Sequence, residues 1–167
     1  MRKFLTDKEI TAALKSLCVI VDTREKSTRI TEHFSAKDIP FAVKTMKTGD
    51  YTFEYDGMRF DDEVVIERKN SIDEIAANFT IDRQRFENEF LRVKAAGAKA
   101  FLIIENCSWE KIKNGDYRSQ IKPQALMASL LCWQVRYGIT INFCKPEDTA
   151  ELIYGILYYW LKERLQN

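Results

Sequence analysis

Apolar residues in this chain follow two rhythms, and the switches between them lay out the fold. Leu17-Cys18-Val19-Ile20-Val21, ending at Asp22, and Ala100-Phe101-Leu102-Ile103-Ile104, ending at Glu105, are unbroken apolar runs. Strands covered on both faces read this way. Phe41–Thr45, Val64–Lys69 and Ile139–Phe143 are further predicted strands, and Tyr51–Tyr55 with Met58–Phe60 predicts a hairpin turning on Asp56-Gly57. Elsewhere the spacing changes to three and four. A helix is predicted over residues 6–16, and another from Thr28 to Lys37 that puts Ile30 and Phe34 on one side. Ser71-Ile72-Asp73-Glu74 has the form of a capping box and starts a helix. Thr80 caps the next, which runs to Gly97. Pro123 opens a helix that carries Leu126, Leu130, Trp133 and Tyr137 and stops at Gly138, and Pro146 begins a final one that reaches Arg164. Strands alternating with helices define an α/β protein with a mixed central sheet flanked by helices. Residues 17–167 read as one domain, with residues 1–16 as a helical extension.

Composition narrows the field. A chain of 167 residues suits one domain, and 26 basic against 25 acidic side chains give a net charge of +1. That balance neither demands nor excludes a nucleic-acid partner, because an acidic site cancels basic phosphate contacts in the total. Cys18, Cys107, Cys132 and Cys144 are widely separated and form no Cys-x-x-Cys pair, as expected of free thiols in a reducing compartment. His33 is the only histidine, which argues against a zinc site and against histidine-dependent triads. The N-terminus lacks an apolar signal core and no run is long enough for a membrane span, so an intracellular protein without a membrane partner is expected.

The candidate chemistry sits where strands end. Strand alternation puts Glu67 and Lys69 on one face and Arg68 on the other. Asp22, Arg24 and Glu25 follow the first apolar run, and Asp50 precedes the hairpin, so all can converge on one edge of the sheet. Two carboxylates ~4 Å apart repel by ~4 kcal/mol at an effective dielectric of ~20. A cluster of Asp22, Glu25, Asp50 and Glu67 therefore calls for cations, and carboxylate oxygens suit Mg²⁺ or Mn²⁺. A bound divalent ion activates water and offsets charge on a phosphoryl group. Lys69 then orients the water, deprotonates it or stabilises developing charge. Asp73 has two readings, a helix-terminus residue favoured by the macrodipole or a member of the site. Arg68, facing away, can bond a carboxylate such as Asp73 behind the site. Phe86, Phe90 and Val93 form an apolar stripe headed by Arg83, which is favoured over Arg85 as the site cation because a charge on a core-facing stripe needs an anionic partner.

Val21-Asp22-Thr23-Arg24-Glu25, Gly49-Asp50-Tyr51, Glu67-Arg68-Lys69 and Asp73, in that order, resemble the nuclease domain of the XPF family of structure-selective DNA endonucleases. The resemblance spans roughly residues 17–162. It implies a restriction-endonuclease-like core, dimerisation through the nuclease domain as a homodimer or heterodimer, and Mg²⁺- or Mn²⁺-dependent cleavage of branched or flapped DNA. It implies Asp50 and Glu67 as principal metal ligands, Asp22 and Glu25 as further acids, Lys69 as the catalytic lysine, and Arg24, Arg68, Asp73 and Arg83 as supporting residues. Two features depart from the family pattern. Sixteen residues separate Asp50 from Glu67, longer than the usual gap, and the predicted hairpin accounts for the excess. The chain carries no helix-hairpin-helix module, so a partner or the nuclease surface itself supplies the grip on DNA. The surplus of Tyr158, Tyr159 and Trp160 on the last helix suits a twofold interface. Lys111, Lys113, Arg118 and Lys122, with Trp109 and Tyr117, form a loop that is either simply solvated or a contact for DNA. The rivals to a structure-selective endonuclease are a nuclease indifferent to DNA structure and a noncatalytic DNA-binding or scaffold subunit that partners an active nuclease.

Overall fold

The computed structural model describes residues 5–80 and 82–167. Among these residues, seven strands form one sheet: β1 (Cys18–Asp22), β2 (Phe41–Lys44), β3 (Tyr51–Tyr55), β4 (Met58–Arg59), β5 (Val64–Lys69), β6 (Lys99–Glu105) and β7 (Thr140–Cys144). Their order is β2-β1-β3-β5-β6-β7, with β4 paired to β3. β1 and β2 run parallel, as do β5, β6 and β7, while β3 pairs antiparallel with both β1 and β5. The sheet is therefore mixed, as the alternation of elements predicts. β3 joins two parallel halves, and its first residue, Tyr51, is paired to Ile66. That pairing brings the chain before β3 against the end of β5.

Helices cover both faces. On one side lie α1 (Asp7–Lys15), α2 (Thr28–Ala36) and α7 (Thr149–Gln166); on the other lie α3 (Ile72–Thr80), α4 (Arg83–Ala95), α5 (Trp109–Asn114) and α6 (Pro123–Tyr137). The strand period of two sorts the core between them. Val19, Val21, Val64, Ile66 and Ile103 pack with Ile10, Phe34, Ile153 and Leu157. Ile20, Val65, Leu102 and Ile104 pack with Phe79, Phe90, Leu130 and Trp133. α1 is built into the first of these cores through Ile10 and Leu14. Its start is a reciprocal capping box: the Thr6 hydroxyl accepts from the Glu9 N–H, and the Glu9 carboxylate accepts from the Thr6 N–H at 2.7 Å.

Two expected elements differ. Thr80 does not cap α4. It ends α3, where its hydroxyl donates back to the carbonyls of Ala76 and Ala77, and α4 starts at Arg83 after Asp82. Thr80 is still inside α3, and Asp82 holds the position before the first turn of α4. Residues 109–114, read from sequence as part of a loop, form the short helix α5, capped by Ser108 accepting from the Lys111 N–H.

Trp133 centres the second core. It is fully buried, its ring centroid lies 4.0 Å from that of Phe79, 5.0 Å from Phe86 and 5.4 Å from Phe90, and its indole N–H donates to Glu87 at 2.9 Å. Trp133→Ala should cost about 3–5 kcal/mol of stability, read as a lower urea midpoint at unchanged slope. A loss below about 1 kcal/mol would mean that α4 and α6 do not depend on this ring.

Candidate active site

Gly49 makes the approach to β5 possible. Its φ is +73°, and a Cβ there would lie 3.1 Å from Val65 Cβ and 3.2 Å from the Ile66 carbonyl. Only glycine accepts both the left-handed backbone and that contact. The next residue, Asp50, is stitched in on both sides: its N–H donates to the Ile66 carbonyl and its own carbonyl accepts from the Asp22 N–H, each at 2.8 Å. Tyr51 packs into the α1/α2/α7 core, so strand alternation turns Asp50 to the other face, the face of Glu67 and Lys69. There Asp50 Oδ2 accepts the Arg68 main-chain N–H at 2.8 Å.

Glu67, Lys69 and Asp50 form one electrostatic unit. Lys69 Nζ donates to Glu67 Oε1 at 2.8 Å, lies 3.6 Å from Glu74 Oε1, and sits over the Phe86 ring at 4.6 Å from its centroid. Burial, then the neighbouring Glu67 charge, pushes the Asp50 carboxyl well above its ordinary value. Burial also raises Glu67, against the pull of Lys69 and with the help of Glu89 and Glu74. Burial works against the Lys69 ammonium, yet Glu67 outweighs it and the pKa is raised, so Lys69 is held cationic.

Asp22 and Glu25 do other work. Burial opposes the Asp22 charge, but Arg24 Nε at 2.6 Å and the N–H groups of Arg24 and Met46 lower its pKa. Its two oxygens are thereby engaged in tying the segment before β3 to the end of β1. Glu25 lies behind the sheet. It takes both arms of Arg68 (3.0 and 2.9 Å), the Ser27 N–H (2.8 Å) and the Tyr51 hydroxyl (2.9 Å), which outweigh burial and lower its pKa. Arg68 also lies 3.3 Å from Glu105 Oε1, which accepts Arg29 at 2.8 Å and the Thr149 hydroxyl at 2.6 Å. Asp22, two residues past Ile20, shares the face of Asp50 and Glu67, and its two oxygens already accept three N–H bonds, whereas Glu25 lies on the opposite face with Arg68 and Tyr51.

The other expected site residues divide. Arg24, besides holding Asp22, feels the charges of Glu89 and Asp50 and so borders the cluster. Arg68 stands behind it with Glu25, not with Asp73. Asp73 Oδ1 accepts the Arg118 N–H at 2.7 Å and ties α3 to the segment before α6. Arg83 is half exposed and pairs with Glu87 at 3.0 Å, beside Trp133. Arg85, not Arg83, lines the cavity that contains Glu67 and Lys69. The apolar stripe of α4 has two neighbours: Phe86 and Phe90 reach Trp133 of α6, while Phe86 also lies under Lys69. Arg83 is on the α6 side. Glu89, Asn78 and Glu74 line the same cavity and were not anticipated, although Arg85, Phe86 and Glu89 share a helix face by their spacing.

Among the described residues, Asp50 accepts a hydrogen bond only through Oδ2 and Glu67 only through Oε1, which leaves Asp50 Oδ1 and Glu67 Oε2 unengaged. Hard oxygens in a repelling pair fit a divalent cation. Among the described residues, no three His, Cys, Asp or Glu side chains are grouped to hold a metal ion. Such a site would resemble the Mg²⁺ pattern of one or two carboxylates completed by water and phosphate oxygens, rather than an all-protein cage.

A mixed sheet with helices on both faces and an acidic strand end is the fold of the XPF nuclease domain. XPF from Aeropyrum pernix superposes with a TM-score of 0.64 at 22% identity, covering 84% of this chain and 65% of that one. XPF from Aeropyrum pernix in complex with DNA gives 0.66 at 22% identity, covering 90% and 68%. The chain thus spans about two thirds of the Aeropyrum pernix chains. Residues 21–156 match the ERCC4 domain, and the chain belongs to that family. No curated protein matches it at a significant level.

Raised carboxyl pKa values carry a sign. The folded chain binds protons at Asp50 and Glu67 more readily than the unfolded chain, so these groups weaken the fold increasingly as pH rises from the ordinary carboxylate value through their folded values. Asp22 and Glu25 act oppositely: their stabilisation is present above the ordinary value and is lost as pH falls through the lowered ones. Asp50→Asn keeps an acceptor for the Arg68 N–H and removes the repulsion. In EDTA near pH ~8 it should melt above the unmodified chain, with the gap closing on acidification. A lower melting temperature at that pH would show that the ionised carboxylate is not under strain.

Proposed function

We propose that this ERCC4-family protein is a divalent-metal-dependent DNA endonuclease that hydrolyses phosphodiester bonds, with preference for branched, flapped or single-strand/duplex junction DNA. The observation that carries the reading is the buried Asp50–Glu67–Lys69 unit with two unengaged carboxylate oxygens. Family membership supports it, since ERCC4 proteins are generally nucleases, and so does the match to a relative whose structure contains DNA. Asp50 and Glu67 would hold Mg²⁺ or Mn²⁺, which supplies an activated water and offsets charge at phosphorus. Lys69 remains an ammonium while Glu67 holds it. As an ammonium it would orient the attacking oxygen and offset developing negative charge. Arg68 and Glu25 fix the end of β5 from behind, so that the Arg68 N–H stays aimed at Asp50.

We read the partner surface as the outer side of α7. Ile153, Leu157 and Leu161 enter the core, while Ile156, Tyr159 and Trp160 line an open apolar groove of about 710 Å³ with Phe101. A second nuclease domain, identical or related, is the occupant this face suits. No helix among the described residues is long and apolar enough to cross a membrane.

The test is cleavage of labelled flap, fork and duplex DNA with Mg²⁺, Mn²⁺ or EDTA. Asp50→Ala and Glu67→Ala should abolish cutting while retaining the circular dichroism of the fold. Lys69→Ala should retain Mn²⁺ binding by calorimetry and lose about 10²–10³ in rate. Wild-type-like cutting by either acid variant refutes the site. Binding of branched DNA by the unmodified chain without cleavage under any metal would favour the noncatalytic-subunit reading. For the partner surface, Tyr159→Arg, at a position 60% exposed, should shift the mass measured by light scattering from dimer to monomer without lowering thermal stability; an unchanged mass places any interface elsewhere.

A further inference from the structure

α3 and α4 wall a cavity of about 220 Å³ that contains Glu67 and Lys69 and extends to Asn78, Asp82, Arg85 and Glu89. Two features of it are unexplained by packing. Among the described residues, the Arg85 side chain makes no hydrogen bond, ion pair or ring contact, although carboxylates line the same space and Glu89 is four residues along its own helix. Its neighbour Arg83 makes the corresponding i,i+4 pair with Glu87. The second feature is the amide oxygen of Asn78, which is buried in the wall and has no donor. The exposed Arg85 guanidinium gives up only water to take a ligand, while the buried Asn78 oxygen on the same cavity needs a donor.

A backbone phosphate of DNA has the matching chemistry. The planar guanidinium has five N–H donors in a fork that matches two phosphate oxygens, and it retains donors for a third acceptor. Four carboxylates line the cavity, Glu67, Glu74, Asp82 and Glu89, with two cations: Lys69 is paired to Glu67, and Arg85 has no partner to lose. We propose that Arg85 grips a backbone phosphate of the DNA strand at the cutting site, and that Asn78 accepts a remaining guanidinium N–H and holds the arginine in its bound position. The inference rests on the nuclease reading above and adds the residue that touches the substrate's phosphate.

Salt dependence of binding counts such contacts. Each neutralised phosphate contributes about 0.9 to the slope of log K against log salt for duplex DNA and about 0.7 for a single strand. The affinity of the full chain for a fluorescent flap DNA is measured by anisotropy in EDTA between about 50 and 200 mM KCl. Arg85→Ala should flatten the slope by about 0.7–0.9, and Arg85→Lys should restore it because the charge is kept. Arg92→Ala, which removes the same charge further along α4, should leave the slope unchanged. Asn78→Ala should keep the slope and weaken affinity several-fold. Arg85 is exposed and unpaired, so Arg85→Ala should melt like the unmodified chain, and a melt recorded beside each titration confirms that the variant is folded. A slope unaltered by Arg85→Ala, in a protein that still binds and cuts DNA, overturns this proposal alone. Absence of DNA binding by the unmodified chain overturns it together with the nuclease reading.

Discussion

Two carboxylates drawn largely out of water, Asp50 and Glu67, govern the candidate site. Asp50 and Glu67 face the same side of one sheet, and burial together with their mutual field drives the Asp50 carboxyl well above its ordinary value. Such a pair is relieved by a proton or by a cation. Lys69 answers part of the charge through Glu67 Oε1. The remaining oxygens are the place where a divalent ion would relieve the rest. Pre-arranged repulsion of this kind costs stability and prepares an ion site that needs little reorganisation on loading.

The opposite face shows how the rim is kept in place. Arg68 projects away from Glu67 and Lys69 into a network with Glu25 and Glu105, and that network also engages Arg29 of α2 and Thr149 at the start of α7. The side chain of Arg68 is thus anchored to three elements, while its main-chain N–H meets Asp50. One residue joins the two faces. Behind the sheet Glu25 has both oxygens engaged, while in front Asp50 and Glu67 each have one engaged, which separates scaffold from site more clearly than residue type does.

Much of this was legible in the chain. The apolar runs at residues 17–21, 64–66 and 100–104 predict strands buried on both faces, and alternation alone separates Glu67 and Lys69 from Arg68. Gly49-Asp50 before a hairpin marks a turn that glycine alone can make, although only three-dimensional structure reveals that Val65 and Ile66 crowd it. What the sequence could not convey is which partner each charged group finds. Glu25 and Asp22 are acids of the right kind near the right strand, and both are consumed by nearby arginines and main-chain N–H groups. Arg83 and Arg85 differ by about 200° around one helix, at 100° per residue, and their assignment turns on which side of α4 meets α6. Glu89 and Asn78 come from helices whose packing angle is not written in any local pattern.

The central claim is that Asp50 and Glu67, without Asp22 or Glu25, supply the protein's ligands to a divalent ion. Anomalous scattering from crystals grown with Mn²⁺ tests it directly. The account predicts a peak at about 2.1 Å from oxygens of both Asp50 and Glu67. A peak at Asp22 or Glu25, or none beside Glu67 at saturating metal, would contradict it.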